Sequence, residues 1–155
     1  MIHGYQRIDA GTFLITVDAC DDGVMVGRYY YPAGDEMGSY RGIVQLLTKL
    51  HRCMEFEEAP QAFHAVRTFF PVYTFPADSG DGSFPAAGKT ATFSLRVMFR
   101  RNASWQGTLV WLEEKQSQSF RSVLEMIMLM DNAVESRKMP LIPLQEENTR
   151  MGIAK

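Results

Sequence analysis

Hydrophobic and polar positions alternate in the second half of the chain and then change period. Phe93, Leu95, Val97 and Phe99 interleave with Ser94, Arg96, Met98 and Arg100. A period of two predicts a strand with one buried face. Arg101-Asn102-Ala103-Ser104 reads as a polar turn, and Trp105, Gly107, Leu109 and Trp111 give a second strand of the same parity. Antiparallel pairing of the two gathers aromatic and branched side chains on one face. Apolar residues then recur at helical spacing, at Phe120, Val123, Leu124, Ile127, Met130 and Val134. Ser119 is the expected N-cap, since its hydroxyl can accept from an unpaired backbone N–H. Met126, Met128 and Leu129 widen the apolar arc, which predicts packing against more than the sheet.

The same order occurs about 80 residues earlier, which is the signature of an internal repeat. Thr12-Phe13 lies under Thr92-Phe93, Val17 under Val97, Gly27 under Gly107, and Ser39-Tyr40-Arg41 under Ser119-Phe120-Arg121. Phe13 to Ala19 and Val24 to Tyr31 are expected to pair around the turn Asp21-Asp22-Gly23, with a helix from Ser39 to about Glu55. The expected fold is therefore α+β. Two ββα repeats form one antiparallel sheet of about four strands, with two helices on one face and a pseudo-twofold axis. Thr16, Arg28, Tyr30, Arg96, Gln106, Thr108 and Val110 have the parity of the face the helices leave open.

One domain is expected over 1–155. Repeat one covers about 12–60 and repeat two about 92–140. Residues 74–90, rich in Pro, Gly and Ser, form a linker, 58–70 hold a short extra helix, and the C-terminal stretch is a flexible tail. At 155 residues the chain is long enough to bury its own core. A formal net charge of -2 gives no global reason for binding nucleic acid or an anionic membrane. The two cysteines, Cys20 and Cys53, are expected as reduced thiols in a cytoplasmic protein, and no run is apolar enough for a membrane span.

Few residues offer themselves for chemistry. No catalytic elbow, metal site or cofactor is expected: His3, His51, His64 and the cysteines lack ligand spacing. His51 and Asp131 occupy equivalent places in the two repeats, inside the apolar arcs, and form a candidate polar pair at the pseudo-twofold. Arg41 and Arg121 recur beside the expected helix starts, where a cation opposes the helix dipole and calls for a carboxylate or a bound anion. Arg28, Tyr30, Arg96, Arg100 and Arg101 are the candidate ligand-binding residues, offering charge and a stacking ring.

Short stretches resemble known motifs. Ser83–Thr90 is similar to a phosphate-binding loop without its first glycine, and Asp18–Gly23 to the start of a calcium loop with Cys20 at its third position. Arg96-x-x-x-Arg100 and Asn102-x-Ser104-x-x-Gly107 resemble the two signatures of PilZ domains, which bind a cyclic dinucleotide. In PilZ domains the arginine motif stands well upstream, whereas here the arginines fall inside an expected strand. The Asn-Ala-Ser-Trp-Gln-Gly turn and the Phe-Arg-Ser-x-Leu-Glu helix start resemble a segment of small bacterial proteins with no assigned activity. That resemblance covers about the last third of the chain.

Three functions are consistent with these features. The first is a non-enzymatic binding or assembly module, acting as a homo-oligomer through the Met-rich helix or open sheet edges. The second is a nucleotide or single-stranded nucleic-acid binder using the open face. The third is an enzyme with a site across the pseudo-twofold.

Overall fold

A computed structural model describes residues 11–56, 60, 86–100 and 104–139. The elements are β1 (Thr12–Asp21), β2 (Val24–Tyr31), β3 (Glu36–Arg41), α1 (Ile43–Phe56), β4 (Ala91–Phe99), β5 (Gln106–Trp111), β6 (Gln116–Phe120) and α2 (Val123–Lys138). The fold is α+β: all six strands are antiparallel to their neighbours and form one sheet in the order β3-β2-β1-β4-β5-β6. Of the expected extra helix over 58–70 all but residue 60, of the expected linker over 74–90 the stretch 74–85, and likewise 140–155 and Arg101, lie outside the described residues.

The sheet has six strands rather than four. β3 and β6 occupy stretches expected to be loop and helix start. Ser39 and Ser119 sit inside these strands rather than at a helix start. The cap of α2 is Ser122, whose hydroxyl accepts from the Glu125 N–H at 3.2 Å. α1 follows Gly42, which turns the chain out of β3 with φ at 81°.

Pairing is the same in both halves. Val17 lies opposite Gly27, and Gly27 opposite Tyr40. Val97 lies opposite Gly107, and Gly107 opposite Phe120. A bulge interrupts β1 between Val17 and Ala19, and another interrupts β4 between Val97 and Phe99. Where the halves meet, Thr12 pairs with Arg96, Leu14 with Ser94 and Thr16 with Thr92. Two rows of side chains cross the sheet on the helix side. One runs Gly38, Tyr29, Ile15, Phe93, Trp111, Gln116. The other contains Phe13, Leu95, Leu109 and Gln118.

α1 packs on β2 and β3, and α2 on β5 and β6. Leu46, Leu50 and Met54 of α1 and Met126, Met130 and Val134 of α2 share one core with Phe13, Ile15, Phe93 and Leu95, all nearly free of solvent. Burial of each such side chain contributes about 1.5–3 kcal/mol. Phe13 stacks on Tyr31 with ring centroids 4.7 Å apart.

Candidate functional site

The bulges decide where several expected site residues point. After the bulge that follows Val97, the parity of β4 changes, because one extra residue moves the following side chains to the other face. Arg100 therefore leaves the helix-free face. It is buried, forms an ion pair with Glu55 of α1 and donates to the Pro60 carbonyl. Its guanidinium is engaged by these partners, away from the face that carries Arg28 and Arg96. Arg28 is also engaged: it donates to both carboxylate oxygens of Asp18, at 3.1 and 3.2 Å, and to the Ala86 carbonyl at 3.2 Å. Burial raises the Asp18 pKa, but the Arg28 and Lys89 hydrogen bonds and charges outweigh it and hold the carboxyl below its ordinary value. The Tyr30 hydroxyl donates to Asp35 at 3.3 Å, and Arg96 is exposed on β4.

Thr16 has the parity of the helix-free face yet is buried. Its hydroxyl bonds both the N–H and the carbonyl of Arg28, at 3.0 and 3.2 Å. Arg121 pairs with Glu125, four residues on, at 3.4 Å; its side chain is exposed, so the partner is the carboxylate at the helix start. Arg41 is exposed, and its backbone N–H donates to Gln45 at 2.7 Å.

His51 and Asp131 do not form the expected buried pair. Asp131 is exposed, and no hydrogen bond joins it to His51 among the described residues. On α2 it stands about 100° around the helix from Met130, at the solvent edge of the buried stripe of Met126, Met130 and Val134. The charges that act on His51 are Glu55, one turn on, and Arg100, just past the end of β4. Burial lowers the imidazole pKa most; Glu55 opposes this and Arg100 adds to it, leaving a value below the ordinary 6.5.

The most distinctive site has no signature in the sequence. Under each helix, near the outer strands, the halves share one framework but fill it differently. In the first half, Tyr29 of β2 lies over Gly38 of β3, so closely that a Cβ on Gly38 would stand 2.7 Å from the ring. The Tyr29 hydroxyl donates to Glu36 at 2.7 Å, and Arg52 of α1 forms an ion pair with the same carboxylate. Burial, with the Glu36 charge, pushes the Tyr29 phenol far above its ordinary value, so it stays a donor. Ring, carboxylate and guanidinium together fill the space.

In the second half Leu109 stands where Tyr29 stands in the first, and Gln118 where Gly38 stands. Gln116 and Asn132 replace Glu36 and Arg52. What remains is a half-open cavity of about 130 Å³. Phe93, Leu109, Leu129 and Ala133 supply its apolar walls, and Gln116, Gln118 and Asn132 its amides. Trp111 completes the lining. Its indole N–H is buried and finds no acceptor among the described residues. Such an unsatisfied donor costs about 1–3 kcal/mol. The Arg137 guanidinium lies over the Trp111 ring, 5.8 Å from its centre.

Among the described residues no cluster of three or more His, Cys, Asp and Glu is placed to hold a metal ion, and no helix is long and apolar enough to cross a membrane. No family model, curated protein or solved structure matches the chain.

Proposed function

We propose that the protein is a non-enzymatic assembly module, built from two copies of one β-β-β-α unit, that joins a second copy of itself through β6. The two-copy reading is supported by the constant spacing at which pairing register, bulge and helix start recur, with the pseudo-twofold passing between Leu14 and Ser94.

The observation that carries the assembly reading is the state of β6. Gln116, Ser117, Gln118 and Ser119 are all exposed at the edge of the sheet, and they include no charge and no proline. Edge strands that must stay single are usually guarded by charge, proline or a bulge. The opposite edge, β3, carries Glu36 and Arg41 and is partly buried over 36–38. An uncharged Gln/Ser ladder can pair antiparallel with its own copy about a twofold axis without bringing like charges together. α2, which packs on β6, adds exposed Leu124 and Met128, apolar surface of the kind a dimer covers.

Size-exclusion chromatography with light scattering tests the reading. The wild-type chain is expected as a dimer, and Ser117→Lys with Ser119→Lys, which places like charges across the axis, as a monomer. A wild-type chain that is monomeric at high concentration overturns it. The alternative, nucleotide or single-stranded nucleic acid on the helix-free face, has less support, because Arg28 is tied to Asp18 and Arg100 lies on the other side.

A further inference from the structure

Each helix has a face that leans toward the outer edge of its half. On α1, Arg52 reaches Glu36 of β3, and Lys49 donates to the Ser39 carbonyl at 2.7 Å. On α2, Leu129 and Asn132 hold the matching places and line the second-half cavity with Gln116 and Gln118 of β6. Glu36, Lys49 and Arg52 of the first half are thus Gln116, Leu129 and Asn132 in the second, a loss of charge at all three positions. We infer that this face of α2 packs on the same face of a second copy, and that the mouth of each second-half cavity is closed by the partner's Leu129 and Asn132. The inference rests on the pairing of β6 with its copy and adds a helix seam to it.

Distance is the first argument. α2 packs on β5 and β6 alike, so its axis runs above the gap between them. With neighbouring strands about 4.8 Å apart, a twofold axis beside β6 lies about 5 Å from α2, and the two α2 helices about 10 Å from each other. Helices pack side by side at about 8–10 Å. Gln118 is the middle residue of β6 and lines the same cavity as Leu129 and Asn132. A twofold axis at Gln118 therefore sets Leu129 and Asn132 level with their own copies.

Charge is the second. A twofold contact brings groups near the axis against their own kind. Lys49 and Arg52 would repel their copies in such a place, and the first half carries them. No ionisable side chain among the described residues lines the second-half cavity. A carboxamide both donates and accepts, so Gln118 and Asn132 can bond their own copies, while Leu129 packs on Leu129. Glu125, on the same side of α2, is already paired with Arg121.

Area is the third. β6 has five residues, a short edge against the roughly 1,200–2,000 Å² that a stable interface buries. The helix seam adds Leu129, Asn132 and the largely exposed Met128 to that edge.

The test measures dimer dissociation of the full chain by light scattering over a dilution series. Leu129→Lys restores the residue type of the first half, and Asn132→Arg adds a charge at an exposed position. Each should weaken the dimer at least about tenfold, because like charges then face each other across the axis. Asp131→Arg should leave it unchanged. Asp131 is also exposed, but it stands on the side of α2 that carries Lys138, beside Cys20 of the central strand β1. In a Cys20→Ser background, a short bismaleimide should link Asn132→Cys chains in pairs and leave Asp131→Cys chains single.

The inference is overturned if both charge variants at 129 and 132 dimerise like the wild type, or if the two cysteine variants link equally. It falls alone where Ser117→Lys with Ser119→Lys, on the opposite face of β6, still breaks the dimer. A wild-type monomer overturns the β6 pairing together with it.

Discussion

Gly27 and Gly107 stand in the same relation to their neighbours. A Cβ on Gly27 would overlap the Thr16 carbonyl oxygen, and one on Gly107 would overlap the Arg96 carbonyl oxygen. In each half the middle strand presses against its neighbour at a point where only hydrogen fits, and an aromatic from the third strand, Tyr40 or Phe120, lies opposite. Gly27→Ala and Gly107→Ala should each cost about 3 kcal/mol or prevent folding, since a strand pair must open to admit the methyl. Gly23, with φ at 75° and nothing within 4 Å of an added Cβ, should cost only about 1 kcal/mol as Ala, from backbone strain alone. Urea unfolding of the three variants measures the contrast.

Tyr29 fills the first half's helix–sheet space, so Tyr29→Leu should open a cavity there like that of the second half. The expected loss is about 2–4 kcal/mol, from the vacated volume and the unpartnered side of Glu36. Tyr29→Phe, which keeps the ring and deletes only the donor to Glu36, should lose about 1 kcal/mol. Equal losses in the two variants would contradict the filling role of the ring.

The depressed pKa of His51 gives a pH dependence with a fixed sign. Below 6.5 the unfolded chain takes up the imidazole proton before the folded one does, so this contribution is present above pH 6.5 and is lost as pH falls. His51→Gln should therefore flatten the fall in unfolding free energy on the acid side of pH 6.5, with little change above it. Urea melts of both proteins across that range give the difference, which also cancels the titration of the other histidines. Curves that stay parallel would rule out the effect.

The two thiols should differ in reactivity. Cys53 is buried against the core, and burial with the Glu36 charge pushes its thiol up to about 12. Cys20 is only half-buried, at the end of β1 beside Lys138. A maleimide at neutral pH should label Cys20 in the folded protein and reach Cys53 only on unfolding, as mass spectrometry of the digested protein would show. Equal labelling rates would contradict the packing of α1.

The alternating runs at Phe13–Val17 and Phe93–Val97, and the helical spacing from Val123 to Val134, were legible because each buries one regular face. β6 was not: Gln-Ser-Gln-Ser, exposed on a free edge, has no apolar period to reveal it. β3, with Gly38 beneath the Tyr29 ring, was hidden by its glycine and by Ser39, which reads as a helix cap. The bulges at Val17 and Val97 invert parity from within a regular run, so the sequence pattern alone puts Arg100 on the face opposite to the one it takes. The cavity was illegible for a further reason. Leu109 reads as an ordinary core residue until its partner Gln118 and the overlying Ala133 are known, and these come from three separate elements.

The central claim is that the second-half cavity is the unfilled counterpart of the site that Tyr29 fills over Gly38. A double-mutant cycle on Leu109→Tyr and Gln118→Gly, read as unfolding free energies in urea, tests it most directly. Each single change should destabilise: the tyrosine alone would meet the Gln118 side chain, and the glycine alone would loosen β6. Together they should restore the fit seen in the first half, with a favourable coupling of about 1–3 kcal/mol. Strictly additive losses would contradict it.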